Sequence, residues 1–208
     1  MNTIKFPSVI LILGLSGYGK TNLAEKLIYE GFKNGKYKSL IVFSENIIKF
    51  CLPKYVHAEP TEEIINNYII KTTEPGVVLI DDCFIAWKKE KIIKLFRKYR
   101  HIGKGHDIII TSHSPTMISN WVRQAAEYVM IFDYHTEEGV LKQLYELVLL
   151  RRWLNYKEFK KWWDLNYPNI YDAPKNEKSH NFLFVDKNNS KMTKGICSQQ
   201  QEFYLNFE

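Results

Sequence analysis

Gly14-Leu15-Ser16-Gly17-Tyr18-Gly19-Lys20-Thr21 decides the fold. It matches G-x-x-x-x-G-K-[ST], the phosphate-binding loop. Upstream runs Ser8-Val9-Ile10-Leu11-Ile12-Leu13, an uninterrupted apolar stretch that reads as a buried parallel strand. Downstream, Asn22 to Glu30 places Leu23, Ala24, Leu27 and Ile28 on one helical face, with Gly31 as the stop. In this order, the glycines let backbone N–H groups curl around phosphate oxygens, and the helix N-terminus adds partial positive charge. The expected ligands are ATP and Mg²⁺. Gly14, Leu15, Ser16, Gly17, Tyr18, Gly19, Lys20, Thr21 and Asn22 form the cradle. Lys20 is expected to reach the β- and γ-phosphates, and the Thr21 hydroxyl to ligate the metal.

Outward from this loop the chain alternates strands and helices. Ser39–Phe43 is a second strand. Thr61 caps a helix whose buried face is Ile64, Ile65, Tyr68 and Ile69. Gly76–Asp82 is a third strand, and Trp87 to Tyr99 a helix with Ile92, Phe96 and Tyr99 on one face. Asp107–Thr111 is a fourth strand. Ser114-Pro115 opens a helix in which Met117, Ile118, Trp121 and Val122 pack inward. Tyr128–Phe132 is a fifth strand. This rhythm predicts an α/β fold with a mostly parallel sheet flanked by helices, and a nucleotide at the carboxyl ends of the strands.

The third strand ends in Asp81-Asp82. A carboxylate leaving a buried strand beside a phosphate loop suits Mg²⁺, usually held through water, and Asp81 takes that role. Asp82 is then the general base that orients the attacking water. The fourth strand ends in Thr111-Ser112-His113-Ser114. Ser112 and His113 are the candidates to contact the γ-phosphate or the water, and Ser114 caps the next helix.

Between these strands lies a basic run: Lys88, Lys89, Lys91, Lys94, Arg97, Lys98, Arg100 and Lys104 against Glu90. It reads either as a solvated helix face or as a surface for DNA or a neighbouring subunit. The 208 residues, 45% hydrophobic, suffice for one substantial core. The net charge of +6 leans toward a polyanionic partner. Cys51, Cys83 and Cys197 form no C-x-x-C pair, which suggests a reducing compartment without a disulfide framework. No signal peptide precedes the first strand, and no apolar run approaches membrane-spanning length.

Gly14 to Thr21, Leu79-Ile80-Asp81-Asp82, Arg97-Lys98-Tyr99-Arg100-His101 and Ile108 to His113, in that order, resemble the genome-packaging ATPases of the FtsK–HerA superfamily. The resemblance is to the poxvirus-type enzymes of small membrane-containing icosahedral viruses, archaeal turreted ones included, and it covers about residues 8–133. It implies a RecA-like P-loop NTPase core that assembles into a hexameric or pentameric ring. It implies ATP-driven movement of double-stranded DNA into a preformed capsid, in a virion-associated or host-cytoplasmic setting. The chain has five arginines: Arg97, Arg100, Arg123, Arg151 and Arg152. An arginine that completes a neighbour's site would be among them, with Arg97 and Arg100 the candidates. The family's sensor strand commonly ends in Ser-Gln, where this chain has Ser112-His113.

Residues 1–150 are expected to form the ATPase core and 151–208 a small C-terminal extension. Leu141–Leu150 is strongly apolar and reads as a strand or a helix, with strand favoured for Glu146–Leu150. Tyr156–Leu165 reads as a helix with Tyr156, Phe159 and Trp163 inward; Asn181–Val185 reads as a strand followed by a turn at Asp186–Ser190. The tail from Ser198 to Glu208 is expected to fray, or to dock on a capsid or virion membrane protein. Two other readings share the phosphate loop. One is a nucleotide kinase, although its Arg-rich lid is poorly supplied here. The other is a slow, ATP-gated assembly protein.

Overall fold

The computed structural model describes residues 2–44, 55–58, 63, 67, 72–82, 99–100, 104–132, 138–148, 155–171, 179–189, 191–198 and 205–207. The basic run from Lys88 to Lys98, including Arg97, lies outside these residues, as do His101, Arg151, Arg152 and most of the helices expected at 61–69 and 87–99.

Ten strands are described: β1 (Asn2–Ile4), β2 (Val9–Leu13), β3 (Ser39–Ser44), β4 (Tyr55–Ala58), β5 (Gly76–Asp81), β6 (His106–Ser112), β7 (Tyr128–Ile131), β8 (Ser179–Asp186), β9 (Lys191–Ser198) and β10 (Leu205–Phe207). The described helices are α1 (Lys20–Lys33), α2 (Asn120–Ala125), α3 (Glu138–Gln143) and α4 (Tyr156–Tyr171). Eight strands form one sheet in the order β4-β3-β5-β6-β2-β7-β8-β9. The first six run parallel, and β8 and β9 add antiparallel to the β7 edge. Residues beyond 150 therefore extend the same sheet.

Both faces of the parallel strands are covered, so the strands are continuously apolar and alternate residues feed two cores. Val9, Leu11, Leu13, Ile108 and Ile110 pack on one face with Val122, Leu144, Phe159 and Trp163. Ile10, Ile12, Leu79 and Ile109 pack on the other with Leu23, Ala24, Leu27 and Ile28 of α1. The apolar stripe read from the sequence is thus the buried face of α1.

Three expectations are corrected. The segment after Ser114 is a single 3-10 turn at Pro115–Met117, and the chain becomes helical again at α2, where the Ser119 hydroxyl accepts from Val122 N. This interruption rotates Met117 and Trp121 outward, to 44% and 50% exposure, while Ile118 and Val122 stay buried. Residues Leu144–Val148 form a π-helical continuation of α3 rather than a strand. The buried residues Leu141, Leu144 and Tyr145 fall at helical spacing, and Tyr145 stacks on Phe159 of α4 with ring centroids 5.2 Å apart. At the tail, Leu205–Phe207 does not fray but pairs in parallel with Asn2–Ile4. Strands β1, β4, β9 and β10 are absent from the sequence reading; β1 and β10 span only three residues and β4 four, too short for a period to show.

Candidate nucleotide site

Register brings the site together. Leu13 pairs with Ser112, Asp81 pairs with Thr111, and Ser44 pairs with Asp81, so β2, β3, β5 and β6 end side by side. Because β6 lies between β2 and β5, the residues after β6 sit between the phosphate loop and the Asp81-Asp82 corner. This is the carboxyl edge where parallel α/β sheets bind ligands.

The loop leaves β2 at Gly14, whose N–H donates to Ser112 O at 3.3 Å. A Cβ on Gly14 would lie 2.6 Å from the Phe132 Cβ, so close packing requires glycine there. Gly17 and Gly19 have φ of 82° and 90°, the left-handed region that glycine enters without strain. Gly19 precedes α1, and no side chain caps that helix. Its first-turn donors and dipole are thus available to an anion.

Lys20 is buried and points its ammonium at three acceptors. Nζ donates to Leu15 O at 3.1 Å and to His113 Nδ1 at 3.0 Å, and lies 3.9 Å from Asp82 Oδ2. Burial pushes this ammonium below its ordinary value, and Asp82 and then Asp81 pull it back. Thr21 Oγ1 donates to Asp81 Oδ1 at 3.1 Å. Thr111 Oγ1 donates to the same Asp81 oxygen at 2.7 Å and accepts from Asp82 N at 3.0 Å.

Asp82 leaves the strand with φ 48°, a left-handed conformation in a residue other than glycine. Such geometry concentrates at functional sites. Its Oδ2 accepts from His113 Nε2 at 2.9 Å, while Oδ1 is buried and accepts no hydrogen bond among the described residues. Burial pushes the Asp82 carboxyl above its usual range, against the pull of Lys20 and His113.

The structure thus gathers Lys20, Thr21, Asp81, Asp82 and His113 at one edge. Ser112 Oγ instead donates to Ser114 O at 3.1 Å and accepts from Ser114 N, closing the turn after β6. Arg100 sits at the opposite, amino end of the strands. Its Nε donates to Tyr99 Oη at 2.9 Å, and its guanidinium pairs with Glu127, which also accepts from Val9 N. Arg100 therefore cannot serve the phosphate loop of its own chain. Sequence reasoning missed Thr111 as a site residue, although its place one strand from Asp81 in a polar strand end was the available sign.

The donors fit the expected ligands. Thr21 and Asp81 offer close oxygen atoms to a hard cation that keeps several waters. Among the described residues no group of three His, Cys, Asp or Glu is arranged to hold a metal ion by itself, so phosphate and water oxygens would complete such a shell.

No protein-family model and no curated protein matches the chain. Solved structures do match. One is the DNA-packaging ATPase B204 from Sulfolobus turreted icosahedral virus, with TM-score 0.63 and 17% identity over 93% of this chain and 98% of that one. The genome packaging NTPase B204 from Sulfolobus turreted icosahedral virus 2, in complex with ATP-gammaS, gives TM-score 0.63 and 15% identity over 90% and 96%. The N-terminal domain of zonular occludens toxin from Neisseria meningitidis gives 0.56 and 14% over 94% and 95%. At these identities the likeness is one of fold, and the fold is that of a RecA-like P-loop NTPase.

Proposed function

We propose that this chain is an ATP-hydrolysing motor that moves double-stranded DNA and packages a viral genome into a preformed capsid. The observation that carries this reading is the convergence of Lys20, Thr21, Asp81 and Asp82 around the end of β6, in a fold shared with solved packaging ATPases. The cradle from Gly14 to Asn22 binds ATP, with Lys20 on the β- and γ-phosphates. Thr21 and Asp81 hold Mg²⁺, which when bound neutralises charge on the phosphate oxygens. Asp82 orients a water and takes its proton as that water attacks the γ-phosphorus, and ADP leaves. His113 reports on the γ-phosphate, and Ser112 shapes the turn that carries it. Arg97 or Arg100 reaches the site of the next subunit in a ring, where a planar cation stabilises the transferring phosphoryl group. The net charge of +6 suits a DNA partner. No helix among the described residues is long and apolar enough to cross a membrane, which suits a virion-associated or cytoplasmic motor that meets a capsid or virion membrane protein at its surface.

The test is steady-state ATP hydrolysis with and without double-stranded DNA, beside Lys20→Ala and Asp82→Asn. Stimulation by DNA that both substitutions abolish supports the motor. DNA-independent turnover that survives Asp82→Asn overturns it and favours a nucleotide kinase; uniformly slow turnover favours an ATP-gated assembly protein.

A further inference from the structure

The contacts of His113 go beyond a γ-phosphate sensor. Its ring stands between the two charged groups of the site: Nδ1 is 3.0 Å from Lys20 Nζ, and Nε2 is 2.9 Å from Asp82 Oδ2. An ammonium has only protons to offer, so Nδ1 must be the acceptor. The ring proton then resides on Nε2 and is donated to the carboxylate. One neutral tautomer satisfies both contacts, and Lys20, His113 and Asp82 form a single directed chain of hydrogen bonds.

We propose that His113 is a positioning residue that couples occupancy of the phosphate loop to the aim of Asp82. With the loop empty, the imidazole ties Lys20 to Asp82 and holds the lysine away from its phosphate position. A γ-phosphate competes for Lys20 and draws it out of the chain. The Nε2–H stays hydrogen-bonded to Asp82 Oδ2 and keeps the carboxylate aimed at the water. His113 therefore weakens nucleotide binding and speeds the chemical step, two effects that a purely structural residue does not combine.

Two features make this testable. The His113 side chain is 43% exposed, so replacing it opens no core. The His113 backbone N–H also bonds Asp82, so the corner keeps one anchor in any side-chain variant. Leucine fills similar space and bonds neither partner. Glutamine accepts at its carbonyl and donates at its amide, so it rebuilds both contacts.

The inference rests on the ATPase reading for its kinetic arm only. Affinity is measured for the non-hydrolysable β,γ-methylene analogue of ATP, and turnover for ATP, in wild type, His113→Leu and His113→Gln. His113→Leu is expected to bind the analogue about three- to tenfold more tightly. Its kcat is expected to fall on the order of 10- to 100-fold. His113→Gln should recover part of both changes. Analogue binding that is unchanged or weaker in His113→Leu overturns the bridge and leaves His113 as a direct phosphate contact. If the wild type hydrolyses no ATP, the ATPase reading fails, and the bridge is still decided by analogue affinity and by the ¹⁵N shifts of the His113 ring. In nucleotide-free protein those shifts should show Nδ1 unprotonated and Nε2 protonated; a proton on Nδ1 overturns the proposal.

Discussion

Thr111 Oγ1 lies 2.7 Å from Asp81 Oδ1, reaching across from the neighbouring strand. The same hydroxyl accepts from Asp82 N at 3.0 Å. One threonine thus fixes both members of the aspartate pair, Asp81 through its carboxylate and Asp82 through its backbone. Thr111→Val keeps the shape and removes both bonds. Groups that orient a metal-holding carboxylate cost about 10- to 100-fold when lost. A Mg²⁺ titration of ATP hydrolysis should show that loss together with a higher Mg²⁺ requirement, and unchanged Mg²⁺ dependence would refute the role.

Gly14 faces Phe132 with no room for a methyl group. Gly14→Ala must push the phosphate loop off the end of β7 or the ring off the loop. Overpacking of this kind costs ~1–3 kcal/mol. Urea unfolding should register that loss, and nucleotide affinity should fall with it. At Gly17, where a Cβ would meet nothing, any cost of alanine comes from the positive φ alone.

At the amino end of β6, fully buried Asp107 pairs with Lys36 Nζ at 2.9 Å, accepts from Ser8 N at 2.6 Å and is bonded by Tyr37. Burial pushes the Asp107 carboxyl up even with Lys36 beside it. Lys36→Met removes the cation, so the carboxyl rises further above its unfolded value. A raised folded value means that the folded state holds the proton more tightly, so the variant loses stability as pH climbs from about 4 through that raised value. Breaking a buried pair costs about 3 kcal/mol or more. Denaturation midpoints should show the variant's deficit larger at pH 8 than at pH 5; an equal deficit would mean that removing Lys36 does not change the protonation of Asp107 in this range.

Arg100 is far from its own phosphate loop, and its side chain is 51% exposed. If it completes a neighbour's site, Arg100→Ala and Lys20→Ala are each inactive alone. Mixed rings should regain part of the activity, because a Lys20→Ala subunit can lend its Arg100 to a neighbour with an intact loop. Full activity of Arg100→Ala would instead confine this residue to its contact with Glu127 and pass the role to Arg97.

The phosphate loop, its strand and its helix were legible because each carries a dense local pattern: a fixed glycine spacing, five apolar residues from Val9 to Leu13 broken by no charge, and a stripe at 3.6-residue period. Asp81 and Asp82 were legible from their place at a strand end. The interruption at Ser114–Ser119 was not, since Ile118 and Val122 keep helical spacing across a break made by two serine caps. The run around Leu144 misled for a related reason: a short apolar run fits a strand as well as a buried helix until its partners, Phe159 among them, are known. The bridge through His113 could not be read at all, because it depends on β6 lying between β2 and β5, a fact of sheet order rather than of neighbouring residues.

The pairing of Asn2–Ile4 with Leu205–Phe207 has a mechanical consequence. The two strands run in the same direction, yet one leads away from the amino end and the other toward the carboxyl end. Tension applied between the ends therefore slides the strands past each other and loads their hydrogen bonds together, rather than peeling them apart one by one. Ile4, fully buried in the core, anchors one side of this clasp. A chain pulled by its ends would meet its first resistance there, before the load reaches the sheet that carries the nucleotide site.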